Sequence, residues 1–340
     1  MDIGATSVKM VELKKIKNKP TLINYGYSEE TADFSSKSLE FNIPKIAAII
    51  TELRKKTGMQ SVDAVAAMPS FSVFSSVLNL RNAKKEEMES AVMWEAKKVV
   101  PLNLDEMILD WKVIASAADN VVAADKQNVK ILLTGAPKTL VKKYIDIFKE
   151  SKMRLVSLET EMFSLIRALV GNDPSVVAVV DLGAVNTDIA IIENGLPMFT
   201  RTLDSGGIMV TKAVSDSLKV GFRRAEQFKL DLSLAGANAD KTLPKIIEDT
   251  IANIVNEIKY SLNLFQQENN KTIEKIILAG GGAHLVNIAD YLSKLMDINV
   301  TIGDPWARVS YPTDLKPVLD EVGPNMSIAV GLALRETLFE

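Results

Sequence analysis

Asp181-Leu182-Gly183-Ala184-Val185-Asn186-Thr187-Asp188 repeats in type a stretch at the start of the chain, Asp2-Ile3-Gly4-Ala5-Thr6-Ser7-Val8-Lys9. Both run acid, apolar residue, glycine, alanine and then small residues, and an internal duplication constrains an architecture more than any local propensity. The later copy follows Val176-Val177-Ala178-Val179-Val180, a β-branched run that reads as a buried strand. Ile189-Ala190-Ile191-Ile192 reads as the returning strand, closed by an Asn194-Gly195 hairpin turn. The earlier copy has the same return over Val8 to Leu13, but only Met1 stands where its entering strand belongs. Strands usually run to about five or six residues, so residues upstream of Met1 are expected to add a stabilising strand.

An acid, apolar residue and glycine at a strand end supply two things. The carboxylate can hold Mg²⁺ through water, and the glycine lets the backbone approach a phosphate. The amides that follow form a nest for anionic oxygens. In the first copy Thr6 and Ser7 add hydroxyl donors and Lys9 a positive charge. A lone copy would read as a tight β-turn capped by aspartate. Two matched copies favour the phosphate reading.

Between the copies, Ser72 to Leu80 reads as a strand, and Met88, Val92, Ala96 and Val99 mark a helix by their spacing. Leu109, Trp111 and Val113 alternate as a strand, Val129 to Thr134 forms another, and Leu140, Tyr144 and Phe148 stripe a second helix. Ser116 to Asn128 reads as the loop joining the two strands. A module ordered strand, helix, strand, strand, helix is therefore expected over 72–150. In the second half Ile251, Ile254, Ile258, Leu262 and Phe265 predict one long amphipathic helix. Ile276 to Ala279 then runs as a strand into Gly280-Gly281-Gly282 and a helical stretch from Leu285 to Met296. A strand, glycine turn and helix suit an anion, although the same three glycines also serve as a packing turn.

At 340 residues the chain fits two lobes, and 47% apolar with 24% charged residues is ordinary for a globular protein. A net charge of -3, with the basic residues scattered among acids, argues against a nucleic-acid partner. The absence of cysteine excludes disulfides and thiolate metal sites and fits a reducing cytoplasm. No apolar run reaches the roughly 18 residues of a membrane span, and Ser327 to Glu340 lacks the basic amphipathic face of a direct membrane anchor.

His284 is the one histidine, so a histidine-based metal site or a serine–histidine relay lacks its parts. Glu161 can be read as a catalytic carboxylate that positions an attacking water, or as a surface carboxylate opening a helix. Trp94 and Trp111 flank the module and read as its core or, more sharply, as partner contacts. The pairs Lys97-Lys98 and Lys142-Lys143 read as solvated helix faces rather than a lipid patch.

The two turns, Leu278-Ala279-Gly280-Gly281-Gly282-Ala283-His284-Leu285 and the closing Ile328-Ala329-Val330-Gly331-Leu332-Ala333 resemble the actin-like ATPase superfamily. Trp94 to Pro101, Asp105 to Trp111, Leu132 to Pro137, Phe199-Thr200-Arg201 and Gly206-Gly207 narrow the resemblance to the PilM family of type IV pilus assembly proteins. It runs from Asp2 to Arg335. It implies an α/β, ribonuclease H-like duplicated fold, with a first lobe over 1–71, 151–170 and 318–340 and a second over 171–317. The inserted module at 72–150 is similar to the one this family shares with the cell-division protein FtsA, and a helical part at about 215–269 contacts nucleotide.

Residue by residue, the resemblance places Asp2 and Asp181 on Mg²⁺ through water and makes Gly4, Thr6, Ser7 and Lys9 phosphate contacts. It puts Gly183, Asn186, Thr187 and Asp188 at the terminal phosphate and Gly206 and Gly207 beside it. Glu226 and Lys229 take the adenosine, with Lys259 a weaker counterpart, and Gly280 to Gly282 back the nucleotide. The implied cofactors are ATP and Mg²⁺. The implied partner is the amino-terminal peptide of a PilN-like membrane protein, received in a groove beside the module. The chain would then sit in the cytoplasm, peripheral at the inner membrane in the pilus assembly platform, with self-association left open. Hydrolysis, if present, is slow. A small-molecule phosphotransferase or a filament-forming protein of the same fold remain the alternative readings.

Overall fold

The computed structural model describes residues 1–29, 42–81, 88–100, 102–116, 128–234 and 244–338. The duplication is visible element by element. The second lobe begins with strands β9 (Val177–Leu182), β10 (Thr187–Glu193) and β11 (Leu196–Leu203). Helix α7 (Lys245–Asn269), strand β12 (Lys275–Ala279), helix α8 (Ile288–Met296) and strand β13 (Asn299–Ile302) follow, and α9 (Lys316–Leu338) closes the chain. Its sheet has the order β11-β10-β9-β12-β13, antiparallel on one side of β9 and parallel on the other.

The first lobe repeats this as β1 (Asp2–Ile3), β2 (Ser7–Ile16), β3 (Lys19–Glu29), α1 (Ile43–Thr57), β4 (Asp63–Met68), α3 (Lys138–Glu150), β8 (Arg154–Thr160) and α4 (Glu161–Leu165). A π-helical turn over Ile166–Val170 continues α4. Here β1 has only two residues, so the sheet divides into β1-β2-β3 and β4-β8. The Met1 backbone nitrogen links the two parts by donating to the Val65 carbonyl at 2.8 Å.

Two insertions separate the lobes in kind. In the second, α5 (Gly207–Leu218) and α6 (Phe222–Leu234) precede α7. In the first, β5 (Phe74–Arg81), α2 (Met88–Val99), β6 (Met107–Ser116) and β7 (Asn128–Pro137) follow β4, with sheet order β5-β7-β6. Val92 and Ala96 of α2 pack on Leu78, Leu80, Ile131 and Leu133 to give this module its own core. The expected element order holds, but Tyr144, Ile147 and Phe148 of α3 pack with Met1, Ile3, Ile50 and Ala66 of the first lobe. α3 is thus the counterpart of α8, and the packing boundary falls near Pro137 rather than Glu150. The loop read at 116–128 lies largely outside the described residues.

Local chemistry accounts for the boundaries. Asn42 caps α1 by accepting from the Lys45 amide at 3.1 Å, and Gly58 ends it at φ 71°. Asn194 and Gly195 both have positive φ, as a two-residue hairpin turn of this hand requires.

Helices α4 and α9 lie between the two sheets, where Met162, Leu165, Ile328 and Leu332 meet Val65, Ala67, Val177 and Val179. Both crossings between the lobes converge here. Arg308 donates to the carbonyls of Arg167, Ala168 and Val170 at 3.3, 2.7 and 2.8 Å, capping the π-turn with a residue from the return crossing. Arg308→Ala is expected to cost about 2–4 kcal/mol, because three carbonyls lose a charged donor. Arg308→Lys should recover little of it, since one ammonium cannot span the three. Chemical denaturation of both variants checks this, and a full recovery by lysine would show that charge alone matters.

Candidate functional site

The turns at the heads of the two lobes share one register. Asp2 pairs with Lys9 across β1 and β2, and Asp181 pairs with Asp188 across β9 and β10. The first turn closes with the Gly4 amide donating to the Ser7 carbonyl at 2.9 Å, leaving Thr6 and Ser7 half-buried at its tip. In the second, a Cβ on Gly183 would lie 2.8 Å from the Asn186 carbonyl oxygen, so the tight turn requires glycine.

Matched backbone carries mismatched charge. Lys9 Nζ binds Asp2 Oδ2 at 3.0 Å, and both are largely buried. Burial lowers the Lys9 pKa, but Asp2, Asp181 and Glu161 outweigh it and raise the net value. Asp188, in the place of Lys9, faces Asp181 with a like charge. Burial first, then Asp188, push Asp181 up to about 7, with Lys9 opposing and Asp2 adding to the rise. Burial also raises Asp188, against a hydrogen bond from the Thr202 hydroxyl.

Glu161 joins this cluster from the start of α4. Its Oε2 accepts the Ser70 amide at 3.0 Å, and its pKa is raised well above the carboxylate range by burial and then by Asp2, Asp188 and Asp181. The surface reading of Glu161 is therefore corrected, because the β8–α4 corner turns it inward. Four carboxylates and one ammonium thus meet between the lobes. Among the described residues no three of histidine, cysteine, aspartate and glutamate are grouped to ligate a metal directly. The donor set fits a hard cation held through its waters, since Asp2 of β1 and Asp181 of β9 bring one carboxylate from each lobe close enough to repel each other.

Glycine turns close the second-lobe side. A Cβ on Gly280, at φ 76°, would sit 2.3 Å from Asp181 Oδ1, and the Gly280 amide donates to the Pro324 carbonyl at 3.0 Å. Gly281 is exposed while Gly282 packs on Leu182. The amides of Gly207 and Ile208 donate at 2.9 Å to the carbonyls of Gly183 and Ala184, and a Cβ on Gly206 would lie 2.7 Å from both carbonyl oxygens. Thr187 is fully buried and its hydroxyl donates to the Ser205 carbonyl at 2.7 Å, so its side chain holds the loop before α5.

Behind that loop Lys229 Nζ binds Thr211 Oγ1 at 3.0 Å and Glu226 Oε2 at 2.8 Å, and the Thr211 hydroxyl also donates to Glu226. A Cβ on Gly207 would lie 3.6 Å from Lys229 Nζ, which ties this trio to the turn. Asn186 stands half-buried at the turn, whereas Lys259, half-buried on α7, pairs with none of the other site residues. His284 has its pKa lowered by burial, against Glu321, as suits a packed loop residue. Sequence reading missed Thr211 and Ser205, whose roles rest on contacts 15 to 18 residues away.

No described helix is long and apolar enough to cross a membrane. The structure is similar to the PilM-PilN type IV pilus biogenesis complex, with 23% identity, a TM-score of 0.85 and coverage of 99% of this chain and 97% of that one. It is also similar to MreB 5 of Spiroplasma citri bound to AMPPNP, at 13% identity and a TM-score of 0.50, covering 97% of this chain and 88% of that one. Both likenesses are of fold, which is actin-like. The cell division protein FtsA of Neisseria meningitidis serogroup B is 26% identical over 178 residues, which is 46% of this chain and 41% of that protein. The chain therefore spans less than half of that relative. The profile described as Type IV pilus assembly protein PilM matches residues 1–337, and the chain accordingly belongs to the type IV pilus assembly protein PilM family.

Proposed function

We propose that this chain is a nucleotide-read scaffold of the type IV pilus assembly platform. ATP with Mg²⁺ binds between the lobes, and the module docks the amino-terminal tail of a PilN-like membrane protein. The observation that supports the nucleotide half is the register of the two turns, which sets Asp2 opposite Lys9 and Asp181 opposite Asp188. In this reading Lys9, Thr6 and Ser7 meet phosphate oxygens, Asn186 and Asp188 face the terminal phosphate, and Glu226 with Lys229 hold the ribose side. A bound divalent ion supplies the positive charge that the Asp181–Asp188 pair lacks. Closure of the lobes around the ligand then sets the grip on the partner.

The docking half rests on the module. It has its own core, and Trp94 on α2 stands 65% exposed with Lys98 Nζ 5.6 Å from its ring centre. Trp111 instead packs against that core. An exposed tryptophan on an inserted domain suits a partner anchor. The test replaces residues 74–136 by a short linker, which keeps α3 in the first lobe. Calorimetry should show Mg-ATP affinity retained within about threefold and binding of the amino-terminal peptide of the neighbouring single-span protein lost. Full peptide affinity in the deletion variant would place docking elsewhere.

A further inference from the structure

A cavity of about 80 Å³ lies where the module stem, the first lobe and the second lobe meet. By the usual volume of about 10–15 Å³ per water site it has room for several waters. Ser70 and Ser75 line it from the module stem, Thr160 and Phe163 from the first lobe, and Asp188 and Thr202 from the second. Five of its twelve lining residues carry hydroxyls, five are apolar with Phe163 the one aromatic ring, and Asp188 and Arg201 are charged.

The charge on that wall is uncompensated. Asp188 is 8% exposed, and its described partner is the Thr202 hydroxyl, with no ion pair among the described residues. Lys9 is committed to Asp2. Arg201 also lines the cavity, but its guanidinium is paired with Glu257 at 2.7 Å and lies 5.2 Å from the Tyr260 ring centre. Glu161, adjacent in sequence to two lining residues, sits behind the wall and accepts the Ser70 amide, with burial and the neighbouring aspartates favouring its neutral form. The Ser70 hydroxyl oxygen, shielded from solvent, has no hydrogen-bond partner among the described residues. A buried carboxylate is costly until a cation meets it.

We infer that this cavity seats a guanidinium side chain, carried by the docked tail, and that Asp188 couples its occupancy to the terminal phosphate. The inference rests on the scaffold reading above. A guanidinium fits better than an ammonium because its planar fork can pair with a carboxylate, donate to several hydroxyls at once and stack on Phe163. The coupling has a definite sign. Asp188 stands between an incoming anion and an incoming cation, so each relieves the field that the other meets, and the two ligands strengthen each other's binding equally.

The first probe is L-argininamide, titrated into the full-length protein and followed by NMR shifts of Ser75 and Phe163. Binding is expected in the millimolar range, tighter than that of lysinamide, and about three- to tenfold tighter when Mg-AMPPNP is present. Asp188→Asn should weaken it at least tenfold. Ser75→Leu, which fills the cavity from the module and leaves the carboxylates alone, should do the same. No shift in the wild type, equal binding of lysinamide, or indifference to both substitutions would overturn the assignment. The second probe is the tail peptide with each arginine replaced by citrulline. One such change should cost at least tenfold with the wild type and nothing further with Asp188→Asn. If the cavity takes argininamide while the native tail fails to bind, the docking reading falls and takes the tail with it as the source, and the guanidinium seat stands. If the tail binds and no citrulline change matters, docking stands and this inference falls.

Discussion

Asp181→Asn is expected to make the ligand-free protein more stable at pH 8 and to abolish Mg-ATP binding. Burial and Asp188 hold the Asp181 carboxyl near pH 7 in the folded chain, whereas the unfolded chain releases that proton near 3.8. Between these values the folded state binds the additional proton, so wild-type stability falls as pH rises from about 4 to 7. Above pH 7 the full penalty applies, on the order of 4 kcal/mol as an upper figure. The neutral amide avoids it. The variant should therefore melt higher than wild type at pH 8, and the difference should vanish near pH 4. Calorimetry at pH 8 should show Mg-ATP affinity reduced at least ~100-fold, as expected when a carboxylate that holds the ion's waters is removed. Unchanged affinity with normal circular dichroism would refute the site. A melting difference independent of pH would refute the charge argument.

Gly331→Ala should have the second large effect, on the frame rather than the site. A Cβ there would lie 1.9 Å from the Ser164 carbonyl oxygen and 2.5 Å from its carbon, so it meets backbone where α9 crosses α4. Arg167 locks the same crossing, donating to the Gly331 carbonyl at 2.6 Å and to both Glu159 oxygens at 2.7 and 2.9 Å. Neither helix can yield by rotating a side chain. Overpacking against backbone is expected to cost about 3 kcal/mol or more, which lowers the melting midpoint by roughly 5 °C. A midpoint within one degree of wild type would mean that the helices can part freely. Gly58→Ala is the control, since the space around that position is empty and only its φ of 71° opposes the change.

Much of this was legible in the sequence because it rests on local patterns. The paired turns, the Asn194-Gly195 hairpin, the module's element order and the long helix ending near Asn269 follow from residue types at fixed spacing. The charge reversal between Lys9 and Asp188 was also present in the two aligned octets. Its meaning needed the register that sets each residue opposite an aspartate. What could not be read was the allegiance of elements. The stripe of Leu140, Tyr144 and Phe148 shows that α3 is amphipathic and is silent about which sheet it covers. Glu161 looked like any acid in a first helical turn, because nothing in its neighbourhood reports that the corner after β8 points into the cleft. Arg308 carries no local signal, since its three acceptors lie 138 to 141 residues away.

The placement of α3 has a mechanical consequence. The module leaves the first lobe at the end of β4 and returns at the start of α3, and both stems are anchored in the same apolar interior around Ile50, Ala66 and Tyr144. Under the scaffold reading proposed above, a membrane-tethered tail held by the module would pull on these two stems of the first lobe. Tension entering through β4 and α3 is then borne as shear along packed elements, which must slide together before either yields. Under the scaffold reading, traction would load β4 and α3 together, and because Val65 and Ala67 of β4 pack under the α4–α9 crossing, the pull would reach the junction of the lobes.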